Sequence, residues 1–175
     1  MAMQLVHFVH GKESGPWGGK ITALAETARG WGWEVESLDY SSTMDPAARL
    51  ETLVRACHGW EGDLVLVGSS MGGWVAAEAA SRLRTRGVFL LAPALNMPAY
   101  PSQNPPVPAD AVEIVHGWRD EVIPHESVIQ FARDRRCMLH LVDGDHRLNE
   151  NLPILTELFG SFLRRLGDPL EGPGT

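Results

Sequence analysis

Ser70 has the clearest chemical opportunity in the chain. It stands in Gly68-Ser69-Ser70-Met71-Gly72, a G-x-S-x-G turn between the apolar run Leu64-Val65-Leu66-Val67 and a helix-forming stretch from Trp74 to Leu83. A serine in this setting becomes a nucleophile for acyl transfer once a neighbouring base takes its proton. The spacing has a steric cause. Residues two before and two after the serine must be tiny, so that the helix can pass close to the strand. The turn lifts Ser70 Oγ above the carboxyl end of the sheet and aims the Met71 amide at the place where an oxyanion would form. By itself the pentapeptide fits an ordinary strand-to-helix turn equally well, since Gly and Ser are common turn residues. Partners elsewhere in the chain must decide.

The elements that would hold such partners follow from periodicity. Leu5 to His10 reads as a first strand closed by Gly11, then a glycine-rich loop to Gly19 and a helix from about Lys20 to Arg29. His7 and His10 fall three apart on that strand, so they are expected on opposite faces, unable to chelate together. Trp33 to Tyr40 alternates apolar and polar residues like a half-exposed edge strand. Asp45 caps and Pro46 opens a helix to about His58, with Leu50, Leu53, Val54 and Cys57 on one face. An apolar strand runs from Gly87 to Pro93, and the segment from Pro93 to Pro108 has six prolines and no periodicity. Val112 to His116 is a strand, Glu126 to Arg136 a helix with Val128, Phe131 and Ala132 inward, and Cys137 to Val142 the last strand. A final helix runs from about Asn151 to Leu166. Strands alternating with helices predict a parallel sheet, with ligands outside the carboxyl ends of the strands.

In this order the chain resembles the α/β-hydrolase family along nearly its whole length. His10-Gly11 before a glycine-rich loop is similar to the family's HG-x oxyanion loop, and His10-Gly-Lys-Glu-Ser-Gly-Pro16 looks like the version in small bacterial esterases. The resemblance implies the Lys12 amide as a second oxyanion donor beside Met71. His116-Gly-Trp-Arg-Asp-Glu-Val-Ile-Pro124 resembles the family's HG-x-x-D-x-x-x-P segment, which implies Asp120 as the acid, with Glu121 its local rival. His146, just past the last strand, resembles the family's catalytic histidine. His140 lies inside a strand, His58 ends a helix, and His116 and His125 flank the acid loop. The implied triad is Ser70, Asp120 and His146, in the family's chain order. The implied fold is α/β: an α/β-hydrolase fold with a trimmed, mostly parallel sheet of about six strands and helices on both faces. The elbow strand sits in the middle and the Trp33–Tyr40 strand at the edge. The family's leading antiparallel strands have no residues here, which leaves a bare edge that a second copy could pair with in a homo-oligomer.

The resemblance implies cleavage of carboxylic esters of small acyl groups through an acyl-enzyme, with no cofactor or metal. Trp17, Trp74, Trp118 and Met71 lie near the triad in sequence and could form an apolar acyl pocket. Trp74 is one turn beyond Ser70 and fits core packing equally well. Met97, Tyr100 and Val107 of the proline-rich segment either lean over the site as a small lid or belong to a plain surface connection. An acyl thioesterase, and a cofactor-free perhydrolase or acyltransferase, would use the same triad. A non-catalytic binding module on this scaffold is the reading outside enzymology.

Composition narrows the remaining classes. The 175 residues suit one domain, expected over residues 1–166, with residues 167–175 a flexible Gly/Pro-rich tail. A net charge of −7 without a Lys/Arg cluster argues against a nucleic-acid partner. No apolar stretch approaches membrane-spanning length and no basic, apolar leader opens the chain, so a cytoplasmic location is expected. Cys57 and Cys137 lack metal-type spacing.

Overall fold

The strand before Ser70 sets the architecture. In a computed structural model describing residues 3–167, β3 (Asp63–Ser69) is buried from Leu64 through Gly68 because both of its faces are covered. Side chains alternate across a strand. Leu64 and Leu66 therefore enter one apolar cluster with α2 (Pro46–Cys57), α3 (Met71–Ala79) and α4 (His125–Arg135). Val65 and Val67 enter the other, with α1 (Gly19–Gly30) and α5 (Leu152–Gly167). In the second cluster Phe89 packs against Phe159 and Phe162 at ring separations of 5.1 and 5.3 Å. The expected tail lies outside the described residues, apart from Gly167, which ends α5.

Six strands form one sheet in the order β2-β1-β3-β4-β5-β6, and every pairing is parallel. Besides β3 these are β1 (Gln4–Val9), β2 (Glu34–Ser37), β4 (Gly87–Leu91), β5 (Ala111–Gly117) and β6 (Met138–Val142). Strand order reverses between β1 and β3, since β1 leads outward to β2 before the chain returns as β3. Loops leaving the carboxyl ends of β1 and β3 diverge there and open a crevice. Ser70 stands in that crevice.

The expected elements recur with small shifts at their ends, and two readings change. The edge strand stops at Ser37 rather than Tyr40. Beyond Ser37 the chain turns inward, and Tyr40 is buried with its N–H donating to His10 Nε2 at 2.9 Å. That contact also overturns the opposite-face reading of His7 and His10. β1 ends at Val9, so His10 escapes the strand's alternation and reaches Tyr40, whose hydroxyl lies 3.2 Å from His7 Nε2. The segment from Pro93 to Pro108 has neither helix nor strand and lies against α3 and α4. Trp74 Nε1 donates to Ser102 O at 3.0 Å, and Asn96 Nδ2 donates to Ser127 O at 2.8 Å.

Candidate active site

Close packing forces an unusual backbone on Ser70, which has φ 55° and ψ −119°, a region that L side chains avoid. A Cβ on Gly68 would lie 2.2 Å from Gly72 O, and one on Gly72 would lie 2.0 Å from Val9 O. Both glycines are therefore required by the approach of helix to sheet. The Ser70 carbonyl accepts from the amides of Gly73, Trp74 and Ala94, which pins the turn from two sides. Met71 opens α3, and the first amides of a helix have no acceptor within it. Its N–H is left for another partner.

Ser70 Oγ lies 3.0 Å from His146 Nε2, and His146 Nδ1 lies 2.8 Å from Asp120 Oδ2. A carboxylate only accepts, so Nδ1 carries the proton and Nε2 is free to accept from the serine hydroxyl. Asp120 Oδ1 accepts from the amides of Val122 and Ile123 at 2.9 and 2.8 Å. Burial works to raise the Asp120 pKa, yet the bonds from His146, Ile123 and Val122 outweigh it and hold the carboxyl below its ordinary value. Backbone contacts stitch the two loops together. Trp118 N–H donates to Val142 O and Arg119 N–H to Gly144 O, at 2.9 and 3.0 Å. A Cβ on Gly117 would lie 2.2 Å from Gly144 O, so the acid loop passes the histidine loop as closely as backbone allows.

The loop after β1 is held from below. His10 Nε2 accepts from Tyr40 N–H, so its Nδ1 carries the proton and donates to Gly11 O at 2.7 Å. Arg49, fully buried on α2, adds a second donor: its Nη1 lies 3.1 Å from Gly11 O and 3.2 Å from His10 O. In a trans peptide the C=O and N–H point opposite ways. Clamping Gly11 O therefore fixes the direction of the Lys12 N–H, away from Arg49. Gly11 itself passes Ser70, where an added Cβ would come within 3.3 Å of Ser70 Cβ.

Beside Ser70 is a cavity of about 370 Å³, lined by Gly11 to Gly15, the start of α1, Ser69, Val122, His146, Arg147 and Asn149. Trp17, Trp74 and Trp118 are not among its lining residues. Trp74 is buried in the core against Tyr100, while Trp17 and Trp118 are about half exposed. Trp17 stacks under Arg29, and Trp118 meets His125 edge-on. No residue of the proline-rich segment lines the cavity; Met97, Tyr100 and Val107 pack on the core instead. Glu121 is exposed and takes no part in the hydrogen-bonded chain. His140 contacts the buried carboxylate of Glu113. A larger cavity of about 510 Å³ sits near the opposite, amino ends of β5 and β6, between Glu113, Arg135 and Arg165, remote from Ser70.

Two residues of the site were absent from the sequence expectations: Arg49 and Lys20, which also lines the cavity. Each did leave a signal. Arg49 precedes Leu53 and Cys57, and Lys20 precedes Leu24 and Ala28, at helical spacing, so each is a charge set on an apolar stripe.

Residues 8–173 match the model of a family described as the alpha/beta hydrolase family. A solved structure of an alpha/beta hydrolase superfamily protein from Xanthomonas campestris pv. campestris is similar at a TM-score of 0.87 and 34% identity, covering 93% of this chain and 99% of that one. Est1E from Butyrivibrio proteoclasticus has a TM-score of 0.78 at 18% identity, with 94% and 88% of the two chains covered. The esterase Pf2001 from Pyrococcus furiosus gives 0.79 at 18%, with 94% and 83% covered. No curated protein sequence matches with significance. With the family match running almost end to end over a six-stranded parallel sheet, the chain belongs to the alpha/beta hydrolase family.

Proposed function

We propose that this hydrolase is a serine esterase for small acyl groups, with Ser70 as nucleophile, His146 as base and Asp120 as the acid that orients it. The observation that carries the proposal is the hydrogen-bonded chain Ser70–His146–Asp120 on a strained turn at the carboxyl end of β3. His146 Nε2 takes the Ser70 proton as Oγ attacks the ester carbonyl, and Asp120 stabilises the imidazolium. The Met71 and Lys12 amides receive the oxyanion, each worth about 2.7–4 kcal/mol of transition-state stabilisation in comparable sites. Collapse expels the alcohol, which leaves with the proton from His146. Water then repeats the cycle on the acyl-enzyme, releasing the acid and restoring Ser70. A cavity of about 370 Å³, near the small end of ligand sites, favours short acyl groups. The shared fold of the Pyrococcus furiosus esterase supports ester chemistry.

A fluorophosphonate probe followed by peptide mapping tests the assignment. Label is expected on Ser70 alone; label on Ser69 or another residue, or none, would sink it. Ser70→Ala and His146→Ala are each expected to abolish turnover of p-nitrophenyl acetate while the circular dichroism spectrum stays unchanged. Activity within about tenfold of wild type would refute the triad, since removing a triad member ordinarily costs far more.

A further inference from the structure

Resting on the esterase reading, we propose that the cavity beside Ser70 selects substrates that carry a carboxylate, which Lys20 binds through its ammonium. Lys20 stands in the first turn of α1, where the stripe of Leu24 and Ala28 draws it over the rim of the core. Its Nζ donates to Ser69 Oγ at 3.2 Å. An ammonium has three protons to give, and no other side-chain acceptor is within reach among the described residues. Among the described residues, the ion pairs of lysines and arginines involve Arg82, Arg86, Arg119 and Arg165, and none involves Lys20.

The surroundings share this imbalance. Lys12, Lys20 and Arg147 line the cavity against a single acid, Glu13, in a chain whose net charge is −7. Burial above all, with Arg147 beside it, holds the Lys20 ammonium down at about 8 against the opposing pull of Asp145 and Asp120. At neutral pH the group therefore keeps its charge while lacking a counter-ion in contact. Such a cation is matched by an anion that brings its own acceptors. The Ser69 hydroxyl beside it offers a second donor, and the two suit the two oxygens of one carboxylate. Lys20, Ser69 and Ser70 line one cavity, so an anion bound there can belong to the same small molecule as the bond that Ser70 attacks.

The test uses two pairs of esters, each pair differing only in a free carboxylate or its methyl ester: 4-acetoxybenzoate, and the 4-nitrophenyl hemiester of glutarate. Wild type is expected to prefer the carboxylate member of at least one pair by about tenfold or more in kcat/KM, the scale of a charge-assisted bond. Lys20→Met is expected to bring that ratio close to one, and Lys20→Arg, which keeps the charge, to retain part of it. The ratio cancels any effect of Lys20 common to both esters. No preference in either pair, or a preference that survives Lys20→Met, overturns the proposal. Should Lys20→Met not fold, inhibition of the wild type decides. 4-Methylbenzoate must then inhibit p-nitrophenyl acetate turnover at a concentration about tenfold below 4-methylbenzamide, and equal inhibition overturns the assignment. If wild type leaves p-nitrophenyl acetate intact as well, the esterase reading itself falls and this inference falls with it. Turnover of p-nitrophenyl acetate with none of the four esters hydrolysed overturns this inference alone.

Discussion

Arg49 and Lys20 enter the apolar stripes of helices on opposite faces of the sheet, and their partners separate their roles. Arg49 spreads its guanidinium over Thr43 O at 2.8 Å, Gly11 O at 3.1 Å and His10 O at 3.2 Å. Lys20 contacts one hydroxyl at 3.2 Å and borders a cavity. A rigid fork of donors suits several fixed carbonyls, whereas a compact ammonium on a flexible stem suits one mobile anion. Buried charge is thus not one category. Where the backbone consumes the donors, the cation is part of the scaffold; where donors remain beside open space, it belongs to a ligand.

The largest expected break in this contrast comes from Arg49→Met. It strips donors from three carbonyls, those of Thr43, His10 and Gly11, costing about 1–3 kcal/mol, or a fall on the order of 5–10 °C in Tm. The Gly11–Lys12 peptide keeps only the His10 bond, so its amide loses a fixed direction. We expect kcat on p-nitrophenyl acetate to drop about 100-fold with KM little changed, the pattern of a weakened oxyanion donor. Arg49→Lys, which keeps the charge but not the fork, should recover part of kcat. A variant that loses stability yet keeps kcat within about threefold would show that Arg49 supports the fold and not the loop.

What the sequence disclosed follows the same division between local and distant causes. Gly68 and Gly72 were legible because contact with Val9 and with each other leaves no room for a Cβ, so the need is written in the residue itself. The strand and helix order was legible from apolar runs and from the Asp45 cap, whose carboxylate accepts from Ala47 N–H. The tryptophans were misleading because nearness in sequence says little about direction. Trp74 follows Ser70 by one turn, yet it points into the cluster shared with α2 and α4, while the cavity is bounded by α1 and the loop after β1. Tyr40 closes on His10 through a contact thirty residues apart, and no local pattern announces that. Arg49 and Lys20 could have been singled out only by asking why a charge interrupts an apolar stripe.

A second break reverses the sign of the first. Lys20→Met removes a partly buried charge that lacks a contacting acid, so it should raise Tm at pH 7, by about 2–4 °C. Replacing Arg49 lowers Tm because its donors are in use. A fall in Tm for Lys20→Met comparable to that for Arg49→Met would erase the distinction between the two cations.

The smallest effect, and the most specific, is how that gain depends on pH. The Lys20 pKa is lowered from 10.5 to about 8 in the folded chain. Below pH 8 the side chain is charged both folded and unfolded, and the full cost of burying the charge is present. Between about pH 8 and 10.5 the folded form has released its proton while the unfolded form still holds it, so stability from this group rises with pH. Lys20→Met lacks this gain. Its Tm advantage over wild type should therefore be complete at pH 7, shrink as pH passes 8, and nearly vanish by pH 10, with other titrating groups cancelling in the difference. Paired thermal melts across that interval measure it. An advantage constant from pH 7 to 10 would mean that Lys20 titrates as it does in water and that burial does not strain its charge.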